Sequence, residues 1–252
     1  MTWPFENDTN GIVKRISNRS ISANRKRNIF IVLTIALASA LLSAIVLYGF
    51  GVMQETQNRN QKTAQIMYHA ISEQQGQELY KQEEIAWVGE FFNAFSEQVN
   101  HSTVNFTYAN ADMLTSQSMP YSGDLPASEN EIVVQESFLD SLGYSNELGQ
   151  TIQIPFSDGT THDFKLTGIL DVKTGDIGRY TAIISKELVR QQYGDEGMID
   201  YYIGLKGAQN MSEEEATNYA NTLAQQLKIS DDNVIVRSTY FNLKDENHGS
   251  DM

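Results

Sequence analysis

No cysteine occurs in the 252 residues. A thiol nucleophile, a zinc ribbon and a disulfide-stapled secreted miniprotein are therefore excluded. An excess of basic charge is also missing: 18 Lys and Arg stand against 32 Asp and Glu, a formal net charge of −14, which excludes a basic nucleic-acid binder. The Walker pattern GxxxxGK[ST] is absent, so this chain cannot hold ATP through a P-loop. Four histidines, His69, His101, His162 and His248, are too far apart in sequence for HExxH or HxH spacing. Ser137 sits in Glu-Ser-Phe and not in GxSxG, so the hydrolase nucleophile signal is missing too. There is neither an internal repeat nor a low-complexity tract.

The charge that is present lies unevenly. Up to Arg27 there are six cations (Lys14, Arg15, Arg19, Arg25, Lys26 and Arg27) against Glu6 and Asp8, a net +4, which leaves −18 for the remainder. From Asn28 to Gln54, NIFIVLTIALASALLSAIVLYGFGVMQ carries no ionisable group except the Tyr48 phenol. At about 1.5 Å per residue this run reaches roughly 40 Å as a helix, more than the ~30 Å of hydrocarbon in a bilayer. It predicts a transmembrane helix. A cleaved signal peptide is the competing reading, because Ala38-Ser39-Ala40 has the small residues of a cleavage site, but the apolar continuation LLSAIVLYGFG argues against it.

Orientation follows from the cations. Arg25-Lys26-Arg27 abuts one end of the span, whereas Glu55 and then only Arg59 and Lys62 follow the other. The positive-inside bias therefore places the N-terminus in the cytoplasm and the main domain outside the cell (inner) membrane, with Tyr48 and Phe50 at the outer interface. Upstream, Ile12, Val13 and Ile16 recur at helical spacing with Lys14, Arg15 and Arg19 facing elsewhere. That suits a short amphipathic helix on the inner leaflet; a disordered basic tail is the alternative. The six cations are the candidate contacts with membrane or partner. Residues before Asn10 read as unstructured.

Beyond the span, strand and helix signals alternate. Gln65 to Ile71 reads as a strand, followed by a capping box at Ser72 and Gln75 that opens a helix to about Glu84. Ile85, Trp87, Gly89 and Phe91 alternate as a half-buried strand, and Val104, Phe106 and Tyr108 repeat that pattern. Glu131 to Val134 and Thr151 to Phe156 are strands, with a helix from Ser137 to Leu142 between them. Ser157-Asp158-Gly159-Thr160 is a hairpin turn leading into His162 to Leu170. Then follow a strand at Thr181 to Ile184, a helix from Ser185 to Tyr193 and a strand at Ile199 to Leu205. A second capping box at Ser212 and Glu215 opens a helix to Leu227, and Asn233 to Val236 is a final strand. The expected fold is α+β: a single N-terminal transmembrane helix, then a mixed α/β extracytoplasmic domain in two lobes. The segments are 1–27 (cytoplasmic), 28–54 (transmembrane), 55–243 (outer domain, with a lobe inserted at about 110–179) and 244–252 (polar tail).

Other features have plain structural explanations. Asp158, Asp163 and Asp171 invite a calcium reading, but a hairpin uses Asp for turn geometry. Glu213-Glu214-Glu215 fits a helix start, where negative charge suits the dipole. Five Asn-x-Ser/Thr sequons (Asn7, Asn18, Asn100, Asn105 and Asn210) arise readily in an Asn-rich chain. Trp87, Phe91, Phe92 and Phe95 suit a core strand better than a ligand groove. No catalytic, metal or cofactor residue is expected.

Residues 19 to 42, RSISANRKRNIFIVLTIALASALL, resemble the cytoplasmic entry and first transmembrane helix of FtsX-like ABC transporter permeases, with Asn24, Arg27 and Asn28 matching an N-x-x-R-N pattern. Leu125 to Val134, LPASENEIVV, resembles the LPxxxNEIVV element of the MacB-like periplasmic core domain. Leu142-Gly143, Leu148-Gly149-Gln150-Thr151-Ile152 and Phe164-Lys165-Leu166-Thr167-Gly168-Ile169 follow at the expected distances. The resemblance covers most of the chain from Ile12 to about Leu243. It implies a non-enzymatic permease subunit that pairs with a separate cytoplasmic ATP-binding subunit and with a second permease subunit or a copy of itself. Its outer domain would couple ATP-driven motion to export or release of peptides, lipoproteins or drugs. Such permeases carry at least three further spans after this domain, so the expectation is a fragment or a split subunit. A single-pass peptide-binding or sensor protein and a membrane-anchored cell-wall enzyme are the alternatives; the first lacks a cytoplasmic signalling domain and the second a catalytic constellation.

Overall fold

The computed structural model describes residues 9–172, 179–194 and 199–241, without the side chains of 9, 10, 20, 21 and 53–61. Expectations for residues 1–8, for Asn7, for His248 and for the 244–252 tail lie outside these residues, while Thr9, read as unstructured in the sequence, opens α1. The chain divides into two compact units, 1–57 and 58–252.

In the first unit, α1 (Thr9–Ala23) ends at a turn on Asn24, and α2 (Arg25–Lys62) follows at once. Its Arg25–Val52 portion, 28 residues, is long and apolar enough to cross a membrane, and none of it is buried. Two hydroxyls inside this stretch are satisfied by their own helix: Thr34 donates to the Phe30 carbonyl at 2.9 Å and Ser39 to that of Ile35 at 2.7 Å. A polar group in hydrocarbon needs such a partner.

The second unit is built on a ten-stranded mixed sheet. Its elements are β1 (Ile66–Ile71), α3 (Glu73–Leu79), β2 (Ile85–Val99), β3 (Ser102–Ala109), α4 (Ala111–Ser116), β4 (Tyr121–Gly123), β5 (Glu131–Gln135) and α5 (Glu136–Leu142). There follow β6 (Thr151–Pro155), β7 (Thr161–Leu170), β8 (Arg179–Ile184), α6 (Lys186–Tyr193), β9 (Ile199–Leu205), α7 (Glu213–Leu227) and β10 (Val234–Val236). The strand order is β10-β1-β9-β2-β3-β8-β5-β7-β4, with β6 paired to β7. Both capping boxes form, at Ser72/Gln75 and at Ser212/Glu215. Gly143 ends α5 in the left-handed conformation, φ 78°, where a Cβ would be strained.

Two local expectations in this unit are corrected by the structure. The helix opened by Ser72 stops at Leu79, because the chain turns there to deliver Ile85 to the sheet. The even alternation Ile85, Trp87, Gly89, Phe91 is broken by a register shift between Ile85 and Trp87, so that Ile85 and Val88 share one core while Phe91 packs on another. A bulge adds one residue and flips the faces beyond it. Short α4, capped by Asn110, and three-residue β4 carried no periodic signal in the sequence.

Two principal cores form on one face of the sheet. The first gathers β1, β9, the start of β2, α3 and α7 around Tyr68, Leu79, Tyr201 and Leu223. The second gathers the far end of β2 with β3, β5 to β8, α5 and α6 around Phe106, Phe138, Ile152 and Leu166. Ile132, Val133 and Val134 of β5 are all fully buried, which explains the unbroken apolar triplet as a strand covered on both faces. A smaller third core lies beneath α4, formed by Met113, Leu114, Val133 and Ile183.

Candidate functional site

The six cations singled out in the sequence lie in the N-terminal unit, all exposed. Lys14, Arg15 and Arg19 are on α1; Arg25, Lys26 and Arg27 form the first turn of α2. Among the described residues none of the six is in an ion pair with a carboxylate. At 3.6 residues per turn, Arg15 and Arg19 run along the edge of the Ile12, Val13, Ile16 stripe and Lys14 opposes it. The three apolar side chains are 56 %, 63 % and 64 % exposed. Cations at the start of α2 meet the positive end of the helix dipole, and no acidic side chain shares that turn.

In the 58–252 unit the weaker candidates become structural. The Asp158 carboxylate accepts from the Thr160 amide at 2.8 Å and from its hydroxyl at 2.6 Å, an Asx turn. Those bonds hold the Asp158 carboxyl below its usual range. Asp163 accepts from the Gln153 side chain across β6 and β7. His69 Nδ1 lies 2.6 Å from Asp200 Oδ1 at the β1 bulge, and His162 packs on Phe156 with ring centres 4.3 Å apart. Among the described residues no three His, Cys, Asp or Glu side chains converge as metal ligands. Phe95 stacks on Phe106 at 4.6 Å, Phe92 meets Tyr193 edge-on and Phe91 meets Tyr202 edge-on, so these aromatics are core and seam.

The element Leu125 to Val134 also has a physical explanation. Glu131 accepts from the backbone N–H of Ala127 at 3.0 Å and of Ser128 at 3.2 Å, closing the turn that feeds β5. These two bonds, with Lys165 at 3.4 Å, outweigh desolvation and hold the Glu131 carboxyl below the ordinary value. Gly168, in the later Leu-Thr-Gly-Ile stretch, lies against β4, where a Cβ would stand 2.6 Å from the Ser122 carbonyl oxygen. Only glycine permits that approach.

Sequence reasoning missed one cluster entirely. Glu90, on β2 and 4 % exposed, accepts from the Tyr80 phenol at 2.9 Å, the Tyr108 phenol at 2.6 Å and Lys186 Nζ at 2.8 Å. Lys186 also reaches Glu73 at 3.2 Å, and Arg190 forks onto both oxygens of Glu73. Burial pushes the Tyr80 and Tyr108 phenols up, the Glu90 charge adds to it, and both stay neutral donors. Desolvation would raise the Glu73 carboxyl, but Arg190 and Lys186 outweigh it and lower it instead. The signal was there only as separate charges: Glu90 is an acid inside an apolar strand, and nothing in the sequence names its partner.

The chain thus joins one helix long and apolar enough to cross a membrane to a mixed α/β domain in which, among the described residues, no metal-ligand cluster forms. Residues 29–232 match the model of the MacB-like periplasmic core domain, and the chain belongs to that family, a component of ABC transporter permeases. Among solved structures, the periplasmic region of MacB from Actinobacillus actinomycetemcomitans is 12 % identical, with TM-score 0.49, covering 74 % of this chain and 92 % of that one. The extracellular domain of the noncanonic ABC-type transporter YknZ from Gram-positive bacteria is 10 % identical, with TM-score 0.49, covering 69 % and 98 %. None of the curated proteins matches the chain.

Proposed function

We propose that this chain is part of an ABC transporter permease subunit that couples a cytoplasmic ATPase to its outer domain for export or release of peptides, lipoproteins or drugs. The observation that carries this reading is the family match over residues 29–232, which takes in both the apolar helix and the sheet domain. In this reading the N-terminus is cytoplasmic. Lys14, Arg15, Arg19, Arg25, Lys26 and Arg27 rest on anionic head groups beside the ATPase, and α2 carries displacement along its axis to the outer domain. The uncompensated cations at the start of α2 support that orientation, because anionic lipid or an acidic partner face offsets their conflict with the helix dipole. The subunit pairs with a second permease subunit or a copy of itself, and the ATP is hydrolysed by the partner.

The test is co-purification from the native membrane. The chain is expected to bring down an ATP-binding subunit and to stimulate its hydrolysis. Replacing the six cations with Gln is expected to lower that stimulation at least tenfold, since each cation near the surface contributes about 1 kcal/mol. Recovery of no ATP-binding protein at all would sink the reading.

A further inference from the structure

The two principal cores, each forming a lobe with the elements packed on it, share a sheet but meet through few side chains. Among the described residues, Phe92 and Tyr108, opposite each other across β2 and β3, are the partly buried side chains that pack against both. Beside them, α6 supplies a charged part of the seam on that face. One side of α6 is seated in the second core through Leu188 and Val189. Its other side carries Lys186, Arg190 and Tyr193, spaced four and three residues apart and so aligned in one stripe. That stripe reaches across to the first lobe: Lys186 to Glu90, Lys186 and Arg190 to Glu73 of α3, whose Leu79 lies in the first core. Lys186 Nζ also stands 5.8 Å from the Tyr108 ring centre. The Tyr193 phenol donates to the Ala94 carbonyl at 2.8 Å, at the bulge where the register of β2 against β3 shifts.

The chemistry of this seam bears on what it does. Apolar side chains of similar size hold a buried contact as well as a paired ion does, and would fuse the two cores into one. Charges can separate and be hydrated, so an ionic seam can open where an apolar one cannot. On the opposite face the core beneath α4 takes side chains from both lobes, Phe91 and Tyr202 beside Val133 and Ile183, and forms a natural back to a hinge. We propose that α6 is an ionic strut that sets the angle between the two lobes of the domain: Lys186 and Arg190 hold Glu73 and Glu90 across the seam, Tyr193 seats the helix on the bulged β2 backbone of its own lobe, and release of this stripe lets the lobes swing about the α4 side.

The lack of cysteine makes the test clean. Asp140→Cys on α5 and Asn221→Cys on α7, both exposed and set in different lobes, carry nitroxide labels on the full chain in lipid nanodiscs, and pulsed electron resonance reads the distance between them. The parent is expected to give one narrow distribution. Arg190→Gln/Tyr193→Phe changes two side chains at the open end of the seam, Arg190 being 38 % exposed, and is expected about to double the width of the distribution or add a longer distance. Arg190→Lys is expected to keep the parent width. Glu90→Gln/Lys186→Met leaves no unpaired buried charge, keeps an acceptor for Tyr80 and Tyr108 and puts an apolar side chain into the seam, so it is expected to keep the distribution as narrow as the parent's. A parent-like width in Arg190→Gln/Tyr193→Phe overturns the proposal, whether or not the second pair folds.

Discussion

Gly76→Ala sets two magnitudes of opposite sign against each other. Gly76 lies inside α3, and replacing a helical glycine with alanine ordinarily stabilises by about 1 kcal/mol. Here an added Cβ would stand 2.1 Å from Cζ and 2.2 Å from the hydroxyl of Tyr201. Tyr201 is fully buried in β9, pinned between β1 and β2, so its ring cannot retreat without shifting the sheet. Overpacking of this kind costs about 3 kcal/mol, which leaves a net loss of about 2 kcal/mol. For a domain of this size that lowers the Tm by about 4–8 °C. Differential scanning fluorimetry of the full chain reads it directly. Pairing Gly76→Ala with Tyr201→Leu should recover part of the loss, since the two sites share one contact and their effects cannot add. An unchanged or higher Tm for Gly76→Ala alone would refute the reasoning, because propensity would then have outweighed packing.

Two further outcomes follow from the caps and turns. Ser185 is fully buried and caps α6 by accepting from the Leu188 amide at 3.1 Å, so Ser185→Ala should cost about 1 kcal/mol, read by the same melt, while Ser185→Gly costs a few tenths. Glu131→Gln should destabilise by about 1 kcal/mol at neutral pH. Its folded pKa lies below the ordinary 4.5 of a free glutamate, so its contribution is fully present above that value and is lost as pH falls through the lower folded pKa. Melts of parent and variant should therefore converge as the pH falls through that lowered pKa; a difference that persists unchanged in acid would mean that the Ala127 and Ser128 bonds are not the cause.

Some of this protein is written locally. An uninterrupted apolar run, the charge step at Arg27, Ser72 with Gln75, Ser212 with Glu215 and the Asp-Gly turn each act within a few residues, so the sequence alone determines the apolar helix, the capped helices and most strands. The LPASENEIVV stretch was legible by resemblance to a family element, and the structure adds its local cause: Glu131 bonds to amides three and four residues away. What the tertiary structure decided lies at long separation. Which face of β2 is buried depends on a bulge set by its neighbours, Gly76 matters only because β9 places Tyr201 beneath it, and Glu90 finds Lys186 96 residues away. Arg190 finds Glu73 across 117 residues. A charge in a sequence announces that it will seek a partner or water; only the closing of the sheet fixes which one, because the partner is chosen by the topology that brings α6 against α3 and β2.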